Sequence, residues 1–124
     1  MSLKVRVTEG HLHAKTVYVE GRLHNDTVAA LDAELDKIVS SPATLVVLDL
    51  GGLEYISSAG LRSIFKLRKV MAARSGKTLL VNLRPQVHKV FEIANAVDFA
   101  EVFASVEELD RYLDAMQRKI TDGN

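Results

Sequence analysis

The chain has 124 residues, 48% of them hydrophobic, which suits one folded domain and is too rich in core-forming side chains for disorder. Sixteen basic residues balance sixteen acidic ones, so no net field draws the surface to nucleic acid or inserts it at an anionic membrane, and a partner must be recognised locally. There is no cysteine, which removes disulfides, thiolate catalysis and cysteine-based metal centres together; charges interrupt every apolar run short of a membrane span, and a cytoplasmic protein is expected.

Leu3, Val5 and Val7 alternate with Lys4, Arg6 and Thr8, the period of a strand with one wet face. Residues 16–20 read as a second strand ending at Gly21, joined to the first by a Glu9-Gly10-His11 turn as an opening hairpin. After Asn25 and Asp26, either able to cap, Val28, Leu31, Leu35 and Ile38 recur at helical spacing as far as Ser40-Ser41-Pro42. The apolar run 45–50 predicts a central strand buried on both faces and broken by Gly51-Gly52. A short loop then leads into a second helix from about Ser58 to Arg74, ended by Gly76. Residues 78–83 predict another buried strand, and Pro85 suits the first turn of a third helix carrying Val87, Val90, Phe91 and Ala94.

Residues 101–103 predict a last edge strand. Ser105 and Glu108 have capping-box spacing and open a final helix with Leu109, Tyr112, Leu113, Met116 and Ile120 on one face. Residues 121–124 are expected to fray, leaving one domain over 1–120. The fold class is α/β: a mixed sheet of about four or five strands packed with about four helices.

The segment from Asp49 to Leu61 carries the functional signal. It sets Ser57, Ser58, Ala59 and Gly60 where a buried strand turns into a helix, a place where α/β proteins present ligands. A serine there either caps the helix or accepts a phosphate, whose charge the helix start tolerates. On the second helix Arg62, Lys66 and Lys69 form a charged flank, read either as a solvated face or as a docking stripe for an acidic patch. Arg68 falls within the apolar arc of that helix.

Enzyme signatures are thin. Ser63-Ile64-Phe65-Lys66 fits Ser-x-x-Lys without its companion motifs, and the nucleophile-elbow pattern Gly-x-Ser-x-Gly is absent. Gly51-Gly52 lacks the lysine of a phosphate loop, His11 and His13 have no third metal ligand nearby, and His88 stands alone. A receiver domain would need an acidic pair after its first strand, and an opening hairpin is foreign to it. The expectation is a non-enzyme with neither cofactor nor metal.

These residues resemble the STAS domain family, in particular its bacterial anti-sigma factor antagonists. The resemblance spans nearly the whole chain: the hairpin, Glu20-Gly21-Arg22-Leu23, the signature 45–61, the strand 79–83, and Phe99, Val102-Phe103, Ser105 and Glu108 near the end. It implies a protein-binding switch. The unmodified antagonist sequesters an anti-sigma factor that is also a serine kinase, phosphorylation breaks the complex, and a serine phosphatase restores it; transcription is regulated indirectly.

Alignment on Gly60-Leu61 puts the phosphoacceptor at Ser58, with Ser57 in reserve. Ser57 stands where the family commonly has aspartate, and His24 where it often has an acidic residue. The partner surface implied comprises Asp49, Tyr55, Ser57, Ser58, Gly60, Arg62, Lys66 and His24. Gly60 either admits a partner's backbone or packs the helix on the sheet, and Asp49 either steers the kinase or bonds the loop. Two other classes are a constitutive STAS scaffold of a transport or stressosome-like assembly, never phosphorylated, and a small-ligand sensor.

Overall fold

The alternating N-terminal pattern forms β1, Leu3–Glu9, which pairs antiparallel with β2, Lys15–Leu23, in the computed structural model, which describes residues 2–123. Register Val5 to Val19 and Val7 to Val17 gathers the apolar side chains on one face. On the other face Arg6 lies 4.0 Å over the Tyr18 ring. The connection is longer than the expected turn: a 3-10 turn at His11–His13 puts Leu12 and His13 at positive φ, and the Gly10 N–H donates to the Ala14 carbonyl at 2.7 Å. Nor does β2 stop at Gly21. That residue continues the strand at φ +108°, beside the Ser2 carbonyl where a Cβ has no room.

Helix α1 covers Val28–Val39 and buries Leu31, Leu35 and Ile38. Neither Asn25 nor Asp26 caps it. Thr27 holds the preceding turn instead: its Oγ1 accepts the His24 N–H at 3.0 Å and donates to the Arg22 carbonyl at 2.8 Å.

Strand β3 is Leu45–Ile56 and passes straight through Gly51-Gly52. Its parallel pairing with β2 shifts register between Tyr18 and Glu20 and again between Gly21 and Arg22, so each shift leaves one extra residue in β3. Such bulges bend a strand and are a normal place for glycine, which explains why the pair does not end it. Burial is one-sided: Val46, Leu48 and Leu50 are buried, while Leu45, Val47 and Asp49 are half-buried. Helices α1 and α2, the latter Ser58–Ala73, cover the face carrying Val17, Val19, Val46 and Leu48.

After α2, Ser75 rather than a glycine takes the left-handed conformation, and the Gly76 N–H closes the turn on the Met71 carbonyl at 2.7 Å. Arg68 is exposed, with its guanidinium 5.7 Å from the Phe65 ring, which accounts for a charge inside the apolar arc.

Strand β4, Lys77–Val81, is shorter than expected and completes a sheet of order β1-β2-β3-β4, parallel except for the hairpin. Pro85 opens α3, Pro85–Ala96. The expected edge strand at 101–103 is instead a short helix α4, Phe99–Val102, because Asp98 Oδ1 accepts the Ala100 N–H at 3.0 Å and starts a turn. Its aromatic residues anchor it, Phe103 packing on Phe99 and on Tyr112 with centroids 5.9 and 5.1 Å apart.

Helix α5, Val106–Thr121, is capped by Ser105 Oγ, which accepts the Glu108 N–H at 3.1 Å. It includes Thr121, which the sequence places in a tail, and it buries Leu109, Leu113 and Gln117.

Because β4 ends opposite Asp49, the second half of β3 has an edge with no strand beside it. Side chains do that work. Arg84 Nε donates to the Gly51 carbonyl at 2.9 Å and Gln86 Nε2 to the Glu54 carbonyl at 3.0 Å. Gln117 accepts the Ile56 N–H at 3.0 Å through Oε1 and donates to the Ile56 carbonyl at 2.8 Å through Nε2. Buried backbone groups must be paired, and a strand-like amide supplies the pairing. No helix among the described residues is long and apolar enough to cross a membrane.

Candidate functional site

Strands β2 and β3 run parallel, so their C-terminal ends emerge together. Leu23 pairs with Ile56, and the Ser57 N–H donates to the Leu23 carbonyl at 2.9 Å. The His24–Thr27 turn therefore lies against the start of α2. The third wall is α5, whose Asp110 Oδ1 accepts the Ser58 N–H at 2.9 Å.

The two serines have different jobs. Ser57 is the N-cap, extended at φ −96° and ψ 177°, and its Oγ faces the Gly60 N–H at a long 3.5 Å. Ser58 is the first helical residue, 7% exposed, and its Oγ is buried with no hydrogen-bond partner among the described residues. Its own N–H is already satisfied by Asp110. The Ser58 and Gly60 amides thus find acceptors without the Ser58 hydroxyl, and an unpaired buried hydroxyl costs about 1–3 kcal/mol rather than stabilising.

The residues put forward from the sequence divide in space. Ser57, Ser58, His24 and Arg62 converge on the α2 start, with Arg62 and Lys66 exposed one and two turns further along. Lys66 also borders a groove of about 240 Å³ between α1 and α2, opposite Asp32 and Asp36. Gly60 faces inward: a Cβ there would come within 2.7 Å of the Leu23 side chain and 2.9 Å of Ile56, so its packing role explains it and a partner's backbone does not reach it.

Tyr55 is also turned in, with the Arg22 guanidinium 4.3 Å over its ring. Burial pushes the Tyr55 hydroxyl pKa up, and the carboxylates of Asp114 and Asp110 add to the shift. The ring lines a polar cleft of about 510 Å³ with Arg22, Arg84, Gln86, Gln117 and Arg118, apart from Ser58.

Asp49 does not join the site. It is no strand end, since β3 runs seven residues beyond it, on the order of 20 Å at the strand rise. Its Oδ1 accepts the Gly51 N–H at 3.0 Å and its Oδ2 the Asn82 side chain at 3.1 Å, which fixes the first bulge. His13 of the hairpin loop pairs with Glu9 at 3.0 Å, and this contact, with Lys15, holds the Glu9 carboxyl below its usual pKa.

Asp110 and Gln117 are the residues that sequence reading misses. Gln117 stands four residues after Leu113 on the buried stripe, which signals a polar group entering the core. Asp110 carries no local signal; its partner is 52 residues away.

Known proteins are similar to this chain in sequence and in fold. The Bordetella bronchiseptica protein named as the anti-sigma factor antagonist BtrV is 38% identical over 89 residues, covering 72% of this chain and 77% of its own length. The anti-sigma factor antagonist SpoIIAA in its unphosphorylated form superposes with TM-score 0.68 at 19% identity over 74% of this chain and 81% of its own. The phosphorylated form of the Bacillus protein gives 0.64 at 18% identity, over 73% and 83%. An anti-sigma factor antagonist from Mycobacterium paratuberculosis gives 0.64 at 22% identity over 94% and 95%. With the hairpin, the bulged central strand and the Ser58 helix start all inside the span 3–109 that matches the STAS domain, the chain belongs to the STAS domain family.

Proposed function

We propose that the chain is an anti-sigma factor antagonist, a binding protein rather than a catalyst, whose complex with an anti-sigma factor is switched by phosphate on Ser58. The observation that carries the reading is the idle hydroxyl: Ser57 and Asp110 accept from amides of the α2 start, and the buried Ser58 Oγ has no hydrogen-bond partner among the described residues. BtrV, similar over most of this chain, is named for that activity, and SpoIIAA is known in both unphosphorylated and phosphorylated forms.

In this reading the partner is an anti-sigma factor that is also a serine kinase, and a serine phosphatase resets the switch. The His24 turn and the exposed Arg62 and Lys66 flank the acceptor and meet an acidic patch on the partner. A phosphate adds roughly −1.5 to −2 charges beside that contact and opposes it.

The test is binding to the kinase partner with and without ATP. Ser58→Ala is expected to bind as the unmodified chain does, to survive ATP, and to be as stable or up to about 1 kcal/mol more stable in urea, since it deletes an unpaired hydroxyl. Ser58→Glu is expected to bind about 100-fold more weakly, as like charges at an interface cost several kcal/mol. An ATP-sensitive Ser58→Ala complex, or equal binding by a folded Ser58→Glu chain, overturns the proposal.

A further inference from the structure

Four exposed large apolar side chains, Val97, Val102, Val106 and Tyr112, gather where α3 ends, α4 crosses and α5 begins. They border two hollows that share Phe99 and Phe103 as a ridge. One, of about 170 Å³, has Val97, Val102 and Tyr112 in its walls, and the other, of about 320 Å³, has Val106 and Leu109. Single exposed apolar residues are ordinary, whereas a contiguous apolar patch with a polar rim marks an interaction surface.

The rim carries one sign. Residues 90–110 include Glu92, Asp98, Glu101, Glu107, Glu108 and Asp110 and no lysine or arginine. Glu92 is paired with Lys89, and Asp98 and Asp110 accept from the amides of Ala100 and Ser58. Glu101, Glu107 and Glu108 form no ion pair among the described residues, and the base that follows them, Arg111, is exposed. Nucleic acid or an anionic membrane would meet like charge here. A second copy of the chain lacks the complement. Leu12 is 80% exposed at the hairpin tip, but His13 and Lys15 beside it are tied to Glu9. Helix α2 has the exposed bases Arg62, Lys66 and Lys69 but no exposed large apolar side chain.

We propose that this acid-rimmed apolar surface is a second docking site, and that it takes a basic amphipathic helix of another protein. Two apolar side chains of that helix seat on either side of the Phe99–Phe103 ridge, and its lysines or arginines lie over Glu101, Glu107 and Glu108. Helix-in-groove recognition of this kind draws affinity from apolar anchors about one turn apart and orientation from the flanking charges. The contact proposed around Ser58 sets Arg62 and Lys66 against an acidic patch, so one partner surface cannot serve both sites. Failure of either proposal leaves the other standing.

The probe is a synthetic helix of about 18 residues, five turns, with leucine along one face and lysine elsewhere; a twin carries glutamate in place of lysine. Fluorescence anisotropy with the full chain is expected to show the lysine peptide binding at least about tenfold more tightly than its twin, with the advantage shrinking as salt is raised. Val102→Ser and the double substitution Glu101→Gln/Glu107→Gln change exposed side chains and are expected to leave the melting temperature unchanged while weakening binding at least about fivefold each. Equal binding of the two peptides, or undiminished binding by these folded variants, overturns the proposal. A concentration-dependent dimer in sedimentation that Val102→Ser abolishes would also overturn it, by showing that a second copy covers the surface.

Discussion

Gln117→Leu is expected to lower the stability of the domain by about 2–4 kcal/mol, although it makes a 1%-exposed position more apolar at similar volume. The reason is the open edge of β3. Gln117 accepts from the Ile56 N–H and donates to both the Ile56 and the Leu113 carbonyls, at 3.0, 2.8 and 3.1 Å. Leucine leaves an amide and a carbonyl of Ile56 buried and unpaired, each costing about 1–3 kcal/mol if water does not reach it. Urea unfolding of a domain this size follows two states and reports the loss directly. A change below about 0.5 kcal/mol, the range of an uncommitted surface substitution, would mean that Gln117 does not act as the missing strand.

Gly60→Val is expected to cost at least about 3 kcal/mol, at the upper end of overpacking penalties. Its first carbon alone would sit 2.7 Å from Leu23 Cγ and 2.9 Å from Ile56 Cγ1, and both side chains are fully buried. Neither neighbour has free space, since Leu23 and Ile56 pair across the strands that place the serines. Gly60→Ala, which adds that one carbon, is expected to fall between the two, because alanine recovers up to about 1 kcal/mol of helix propensity. Thermal melts separate the three chains. A valine variant as stable as the glycine chain would show that α2 sits further from the sheet than these contacts require.

Local periodicity made most of the fold legible. The alternation of residues 3–8, the helical spacing from Val28 to Ile38, Pro85 at a helix start and the Ser105–Glu108 cap are all decided within a few residues. What escaped was decided at long range. Gly51-Gly52 reads locally as a break, but β2 pairs across it with two bulges, so β3 reaches Ile56 and Asp49 lies mid-strand, far from Ser58. The aromatic stretch near Phe103 reads as a strand, yet β4 offers it no pairing and its rings pack on α5 instead.

The serine pair shows the same division at the site. That a serine caps α2 is local chemistry; which serine does so depends on Asp110 arriving from α5 to take the Ser58 N–H. Residues 57–61 therefore locate the helix start where the switch is proposed, while the bonding of each hydroxyl becomes visible only with the last helix in place. Gly60, open to two uses in the sequence, is committed to packing by Leu23 and Ile56.

The central claim is that the idle hydroxyl of Ser58 is the phosphoacceptor. Site-mapped intact-mass spectrometry after incubation with ATP and the proposed partner, a serine-kinase anti-sigma factor, tests it most directly. One phosphate on Ser58, absent in Ser58→Ala, is the result this account predicts. A phosphate on the capping Ser57, or a stable complex with no phosphate at all, would contradict it.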